Sequence, residues 1–210
     1  MEAVYHVQVL ERSIGKQVSR RALASITAAN LNQDSLRGLL QPEFHFDNNL
    51  FAQSLAYMET LRAQAASGPA PAAWAAFGRL THTAQDFYSH SNYVALWIEQ
   101  FAASGQPPLA AIDGLDPRLL HHPRLITAHV YLPLEALCLF PALRRFVKPL
   151  LPHNSHAWMN LDAPDTGPLF PHSLEAAVQR TRAEFERTLA AIGEAQDEAA
   201  MAAFLDLGRA

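Results

Sequence analysis

The chain has 210 residues, half of them hydrophobic, and 16 basic against 20 acidic side chains give it a net charge of −4. That composition predicts one domain with a sizeable core and excludes disorder as the default; its acidic balance argues against a dedicated binder of duplex nucleic acid, which would carry a basic stripe. A single cysteine, Cys138, excludes internal disulfides and multi-cysteine zinc sites, while ten histidines stand against two lysines, so imidazole and carboxylate must do most of the holding in any metal site.

Residues 1–6 carry no basic stretch followed by a long apolar run. A cytoplasmic chain is therefore the expectation, or an exported one if a leader has been removed. Val4, Val7, Leu10 and Ile14 recur at three- and four-residue spacing and predict a first helix that Gly15 stops. A second is expected over 19 to about 31, burying Leu23, Ile26 and Thr27, and a third over 48–66, with Leu50, Phe51, Leu55, Met58 and Leu61 inward and Gly68-Pro69 ending it. A fourth starts near Pro71 and runs through Trp74, Phe77 and Leu80 past Asp86. Residues 104–123 are rich in glycine and proline and read as loop. The most apolar stretch, 126–151, is broken by Pro133, Pro141 and Pro149 and carries Glu135, Arg144, Arg145 and Lys148. A spanning helix needs about 20 uninterrupted apolar residues, so this stretch is buried or interfacial. After a second loop, 152–171, an amphipathic helix with alternating charges is expected over 173–192 and a short one over 197–207. Runs of alternating β-branched residues are missing. The expected fold is all-α, one helical domain over 1–210 with a loop-rich, proline-broken excursion at about 104–171.

The sharpest local pattern is His82-Thr83-Ala84-Gln85-Asp86-Phe87-Tyr88-Ser89-His90. On a helix, steps of four drift by only about 40°, so His82, Asp86 and His90 share one face. The histidines lie about 12 Å apart along the axis, too far for one ion on a regular helix. Two ions about 3.5–4 Å apart, bridged by the carboxylate, fit better, and a helix break near Ser89 would relax the constraint. The competing reading is of packed or solvated side chains. His45 lies between Phe44 and Phe46, where Asp47 or Asn48 would serve as a helix cap and the phenylalanines as core. His6 projects from the first helix beside Tyr5. His121 and His122 read as surface residues, His129 as structural, and His153 and His156 as loop residues. His172 opens the charged helix with Glu175 behind it, either as a ligand or as a cap.

The segment from Phe77 to Val94, with His82-Thr83-Ala84-Gln85-Asp86-Phe87-Tyr88-Ser89-His90-Ser91-Asn92-Tyr93 at its centre, resembles the signature of the Het-C (heterokaryon-incompatibility C) group. That group is itself similar to the zinc-dependent phospholipases C and the single-strand-specific nucleases. The resemblance extends to Tyr5-His6 through Ile14, to Asn30 through Asp34, to His45-Phe46-Asp47, to Ser155-His156 through Asn160-Leu161-Asp162, and to His172. It implies that His45, His82 and Asp86 hold one zinc. Asp34 would complete that site or act as base beside the attacking water, with Asp34 and Asp86 as the catalytic carboxylates. His90 and His172 would hold a second zinc, and His6 would approach Asp86 for a third. Asn30 is the alternative to Asp34, and His156 and Glu175 are reserve ligands. Two features depart from those enzymes. Ala176 stands where they carry an acidic ligand four residues after the last histidine, and no tryptophan ligand stands ahead of His6, only five residues from Met1. One to three zinc ions are thus expected, around a one-zinc core. The implied function is a phosphodiester hydrolase of the phospholipase C type acting on phospholipid. The alternatives are a single-strand nuclease and a catalytically weak protein that binds membranes or partners. Leu137, Leu139, Phe140, Leu143 and Phe146, beside Arg144, Arg145 and Lys148, would either meet a lipid surface or form ordinary core.

Overall fold

One helix carries the arrangement. In the computed structural model, which describes residues 1–101 and 107–208 apart from the side chains of Leu139 and Pro141, helix α4 (Ala70–His90) is buried at every position from Leu80 to His90. A helix shielded on all sides must be surrounded by others. Around it pack α2 (Arg20–Leu31), α3 (Phe51–Ser67) and α9 (Phe170–Ala195), while α1 (Ala3–Ile14) lies against α9 and α2. Helix α10 (Glu198–Leu205) closes the end near Trp74, whose indole N–H donates to the Phe204 carbonyl. Among the described residues there are no strands, only isolated bridges pairing Ser91 with Thr127 and His129 with Ser155. The all-α expectation holds.

Local chemistry accounts for the helix ends. Ser19 caps α2 by accepting from the Ala22 N–H, and Asp197 caps α10 by accepting from the Ala200 N–H. The apolar stripes turn inward with two exceptions: Val4 and Leu55 are exposed. In the loop read over 104–123, Ser104, Gly105 and Gln106 lie outside the described residues. Its remainder contains the short α6 (Pro117–Leu120), capped by Asp116, and sends Ile112 and Leu119 into the core. The short α5 (Tyr93–Glu99) follows directly on α4.

The proline-broken apolar stretch departs from ordinary core. It forms a short 3-10 turn (Leu134–Leu139) and α7 (Pro141–Val147), which rest on a separate small cluster of Val147, Leu151 and Ala157 backed by Tyr131 and Cys138. That cluster is too small to cover its neighbours, so Leu137, Phe140, Leu143 and Phe146 face outward. No described helix is long and apolar enough to cross a membrane.

Helix α4 comes close to the backbone of α2 at Gly78. A Cβ at Gly78 would lie 2.3 Å from the Ile26 carbonyl oxygen and 2.8 Å from the Ala29 Cβ. The first obstacle is backbone, so the helices must separate to admit a methyl. Gly78→Ala should therefore destabilise the protein by about 1–3 kcal/mol, despite alanine's better helix propensity. Urea unfolding checks this; a gain in stability would mean that the crossing is looser than described.

Candidate metal centre

The face of α4 that carries His82, Asp86 and His90 looks toward α1 and toward the irregular chain between α2 and α3. Helix α4 ends at His90, where Ser91 turns extended, so the break expected near Ser89 falls one residue later. His45 is delivered by backbone rather than helix. After a 3-10 turn (Pro42–Phe44), Phe46, Asn48 and Asn49 all take left-handed conformations, at φ 56°, 58° and 57°. Asparagine tolerates that region, whereas a bulky residue such as Phe46 stays there only if its surroundings hold it. They do. The Asn48 N–H donates to the Ala128 carbonyl at 2.6 Å, and the Asn48 and Asn49 side chains accept from the Val130 and Thr127 N–H groups at 2.8 and 2.7 Å. Phe46 is buried against Phe51 and Phe87, which leaves His45 and Asp47 turned toward α4. Asp47 is thus drawn inward, and α3 starts at Phe51 without a side-chain cap.

Asp86 is the hub. Its Oδ2 lies 2.9 Å from His45 Nδ1 and 3.0 Å from His82 Nε2, and its Oδ1 lies 3.3 Å from His6 Nε2. Asp34 Oδ1 approaches His82 Nε2 at 3.5 Å and His45 Nδ1 at 4.0 Å from a more exposed position. The two clusters His6–His82–Asp86 and Asp34–His45–His82 could each hold a metal ion. The tautomer of His6 is set from behind. Its Nδ1 donates to Gln85 Oε1 at 2.6 Å, while that oxygen also accepts from Asn30 and the Gln85 amide donates to Thr181, both at 3.2 Å. The His6 Nε2 lone pair therefore faces a carboxylate oxygen, buried and without a hydrogen-bond partner. Asp86 Oδ1 also receives the Met1 ammonium at 2.7 Å, and together with the His6 Nε2 lone pair it forms a donor set that could hold a cation.

Electrostatics agree with that reading. Burial, only partly opposed by Asp86, lowers the His82 pKa to about 3, so this imidazole is neutral and ready to coordinate. At His45 burial is outweighed by the hydrogen bond and charge of Asp86, and its pKa rises. Burial would raise Asp86, but the Met1 ammonium and the surrounding histidines hold it well below the usual carboxylate range. Burial and the nearby Asp86 charge push Asp34 up.

A third group, Asp47–His90–His156, lies next to the hub and could also hold an ion. His90 donates from Nδ1 to the His45 carbonyl at 3.0 Å, which turns Nε2 toward Asp162 Oδ1 at 3.2 Å. His156, at the start of α8 (His156–Met159), approaches Asp47 and Asp162 at 3.5 Å through its two ring nitrogens. The Met1 ammonium sits 2.7 Å from Asp86 and 2.9 Å from Asp162, joining the groups. These side chains line a cleft of about 400 Å³ whose wall also includes Leu36, Leu39, Leu40, Val130 and Leu132.

Of the residues singled out in the sequence, His6, Asp34, His45, His82, Asp86 and His90 come together, and His156 joins them from reserve. His172 does not. Its ring is buried beside Trp97, with Nε2 3.4 Å from the Pro107 carbonyl oxygen, because the first turn of α9 packs there instead of over the hub. Glu175 is ion-paired with Arg12, and Asn30 supports Gln85 without belonging to any of the three groups. Asp47, Asp162 and Gln85 were not picked out. Asp47 lies two residues from His45, and Asp162 closes the segment that begins at Ser155-His156, so both stood within readable motifs.

The family model for the VWA7 N-terminal domain matches residues 1–111, more than half of the chain's 210, and the chain belongs to that family. No curated protein and no solved structure matches it. The matched span supplies the whole hub together with Asp47 and His90, whereas His156 and Asp162 come from the remainder.

Burial would raise Asp162, but the Met1 ammonium, His90 and His156 together depress its pKa well below the ordinary value. A depressed carboxylate adds stability that is full above about pH 5 and lost as pH falls toward its folded value. In metal-free buffer Asp162→Asn should be less stable at pH 7 by on the order of 3 kcal/mol, with a shallower decline between about pH 5 and 3. Urea unfolding across that range decides it; an unchanged acid slope would remove Asp162 from the network.

Proposed function

We propose that this member of the VWA7 N-terminal domain family is a zinc-dependent phosphodiesterase of the phospholipase C type, as its resemblance to the Het-C group implies. The observation that carries the proposal is Asp86, a buried carboxylate whose two oxygens are addressed by separate imidazoles at the base of a cleft. Neutral imidazole with carboxylate is a donor set that suits zinc. His45, His82, Asp86 and Asp34 would hold one ion, His6 with Asp86 a second, and Asp47, His90 and His156, backed by Asp162, a third. When bound, zinc lowers the pKa of water toward about 7 and offsets the charge of a phosphodiester.

The chain's own groups divide the remaining work. Asp34 is the most exposed of the clustered carboxylates, and its raised pKa suits a base that takes the proton of the attacking water. Gln85 orients His6, and the His45 carbonyl orients His90. Asp34, Asp47, Asp86 and Asp162 all line the cleft, so an anionic substrate enters only when cations balance them. The other lining side chains are mostly aliphatic, with no phenylalanine, tyrosine or tryptophan among them, and therefore no stacking platform for unpaired bases. That favours a lipid phosphodiester over single-stranded nucleic acid.

Purified protein should carry at least one zinc per chain and hydrolyse phosphatidylcholine faster than single-stranded DNA. His82→Ala should lose both metal and activity, whereas His172→Ala should keep its zinc and stay within about twofold in rate. Gln85→Met should fold and bind zinc about 10- to 100-fold more weakly, as for other groups that orient a ligand. Metal analysis and a phosphate-release assay are the measurements. Protein that takes up no zinc, or activity that survives His82→Ala, would sink the proposal.

A further inference from the structure

We propose that the mouth of this cleft is a collar that seats the protein on a bilayer containing anionic phospholipid. The inference deepens the phosphodiesterase reading and rests on it for the substrate. Its starting point is one set of side chains that line the cleft and yet stand in solvent: Leu36, Leu39 and Leu40 on one lip are 87%, 51% and 68% exposed, and Leu132 on the other is 61% exposed. From Leu132 the second lip continues through the 3-10 turn into α7, which packs on that turn. It presents Phe140, Phe146 and Leu150 at 60%, 62% and 72% exposure. Scattered exposed leucines need no explanation, but four on the cleft lining, followed along the chain from Leu132 by three more large exposed apolar side chains, do.

Charge selects the occupant. Residues 130–158 contain Arg144, Arg145 and Lys148 against one acid, Glu135. Glu135 is buried and accepts from the Tyr131 N–H at 2.7 Å and from the Ala157 N–H, so it does not offset those cations at the surface. The first lip carries Arg37 and no exposed acid between Leu36 and Gln41. A chain with net charge −4 thus shows a basic, aliphatic rim around an acidic, histidine-rich interior. The cations are paired with aromatic rings: the Arg145 guanidinium lies 4.6 Å from the Phe146 ring centre, and the Lys148 ammonium 4.4 Å from that of Trp158. Rings at the depth of the acyl chains beside cations at the depth of the phosphates match the layering of a membrane surface. A symmetric contact with a second copy would bring the basic lips together, which like charges oppose. The acidic hub would then open directly onto headgroup phosphodiesters.

The test is flotation of the full chain with vesicles of phosphatidylcholine alone and with about one-third phosphatidylserine. Binding should rise at least tenfold with the anionic lipid and fall in high salt. Phe140→Ser/Phe146→Ser/Leu150→Ser should bind at least tenfold more weakly, and Arg145→Glu/Lys148→Glu should lose the preference for phosphatidylserine. Both variants should hydrolyse a short-chain, monomeric phosphatidylcholine within about twofold of the parent. The thermal transition of the first variant is recorded as the check on its fold, and the charge variant carries the test independently. Parent protein that cleaves the monomeric lipid but does not float would overturn the collar and leave the enzyme reading intact. Protein that floats but hydrolyses nothing would support the collar and refute the enzyme. A dimer that dissociates in the apolar variant would assign this face to a second copy and overturn the proposal.

Discussion

A carboxylate buried in the middle of a helix has to be neutralised, and this requirement at Asp86 organises the site. Desolvating an unpaired carboxylate costs several kcal/mol, and α4 cannot place Asp86 in the centre of the bundle without partners from elsewhere. The offsetting charge comes from the Met1 ammonium, 2.7 Å from Oδ1, and imidazoles reach the carboxylate from three directions: His6 from α1, His45 from the left-handed turn before α3, and His82 from the preceding turn of α4 itself. The packing of α1 and the contortion at Phe46 are both consequences of bringing imidazole to this one group. Imidazoles that keep a lone pair beside this carboxylate form a donor set that could hold a cation.

Helix α4 does this with two adjacent stripes. His82, Asp86 and His90 form one, and Thr81, Gln85 and Ser89 form the next, about 100° around the helix. The first stripe meets the cleft and the second meets its scaffolding. Thr81 accepts from Asn30, Gln85 accepts from His6 and Asn30, and Ser89 donates to the Leu161 carbonyl. Ligand and positioning residues are thus rigidly indexed to one another by the helix backbone, and Gly78 lets α2 come close enough for Asn30 to reach both Thr81 and Gln85.

How far the sequence revealed this depends on the range of the interaction. The helices were legible because their apolar period acts within a few residues, and the expected starts at 19 and 197 coincide with the caps Ser19 and Asp197. The shared face of His82, Asp86 and His90 was legible for the same reason. Whether His156 or His172 completes the neighbouring group depends on how residues 91–169 return to α4, which periodicity does not encode. Asp47 looked like a helix cap because the left-handed residues around it, Phe46, Asn48 and Asn49, have no glycine to announce them. The stretch around α7 stayed open between core and surface because composition measures how apolar a segment is but not how much core is available to receive it.

That last point bears on function. A helix whose large apolar residues find only a three-residue cluster to rest on is under no local pressure to keep Phe140 and Phe146, since serine or lysine there would cost the fold little. The polar hub, conversely, is costly to the fold: His6 Nε2, His45 Nε2 and His82 Nδ1 are buried without hydrogen-bond partners. The cleft itself combines the polar hub with exposed Leu36, Leu39, Leu40 and Leu132 on its wall, and the exposed segment of α7 follows Leu132 along the chain. Such an arrangement supports the proposed substrate, a phosphodiester charged at one end and aliphatic at the other.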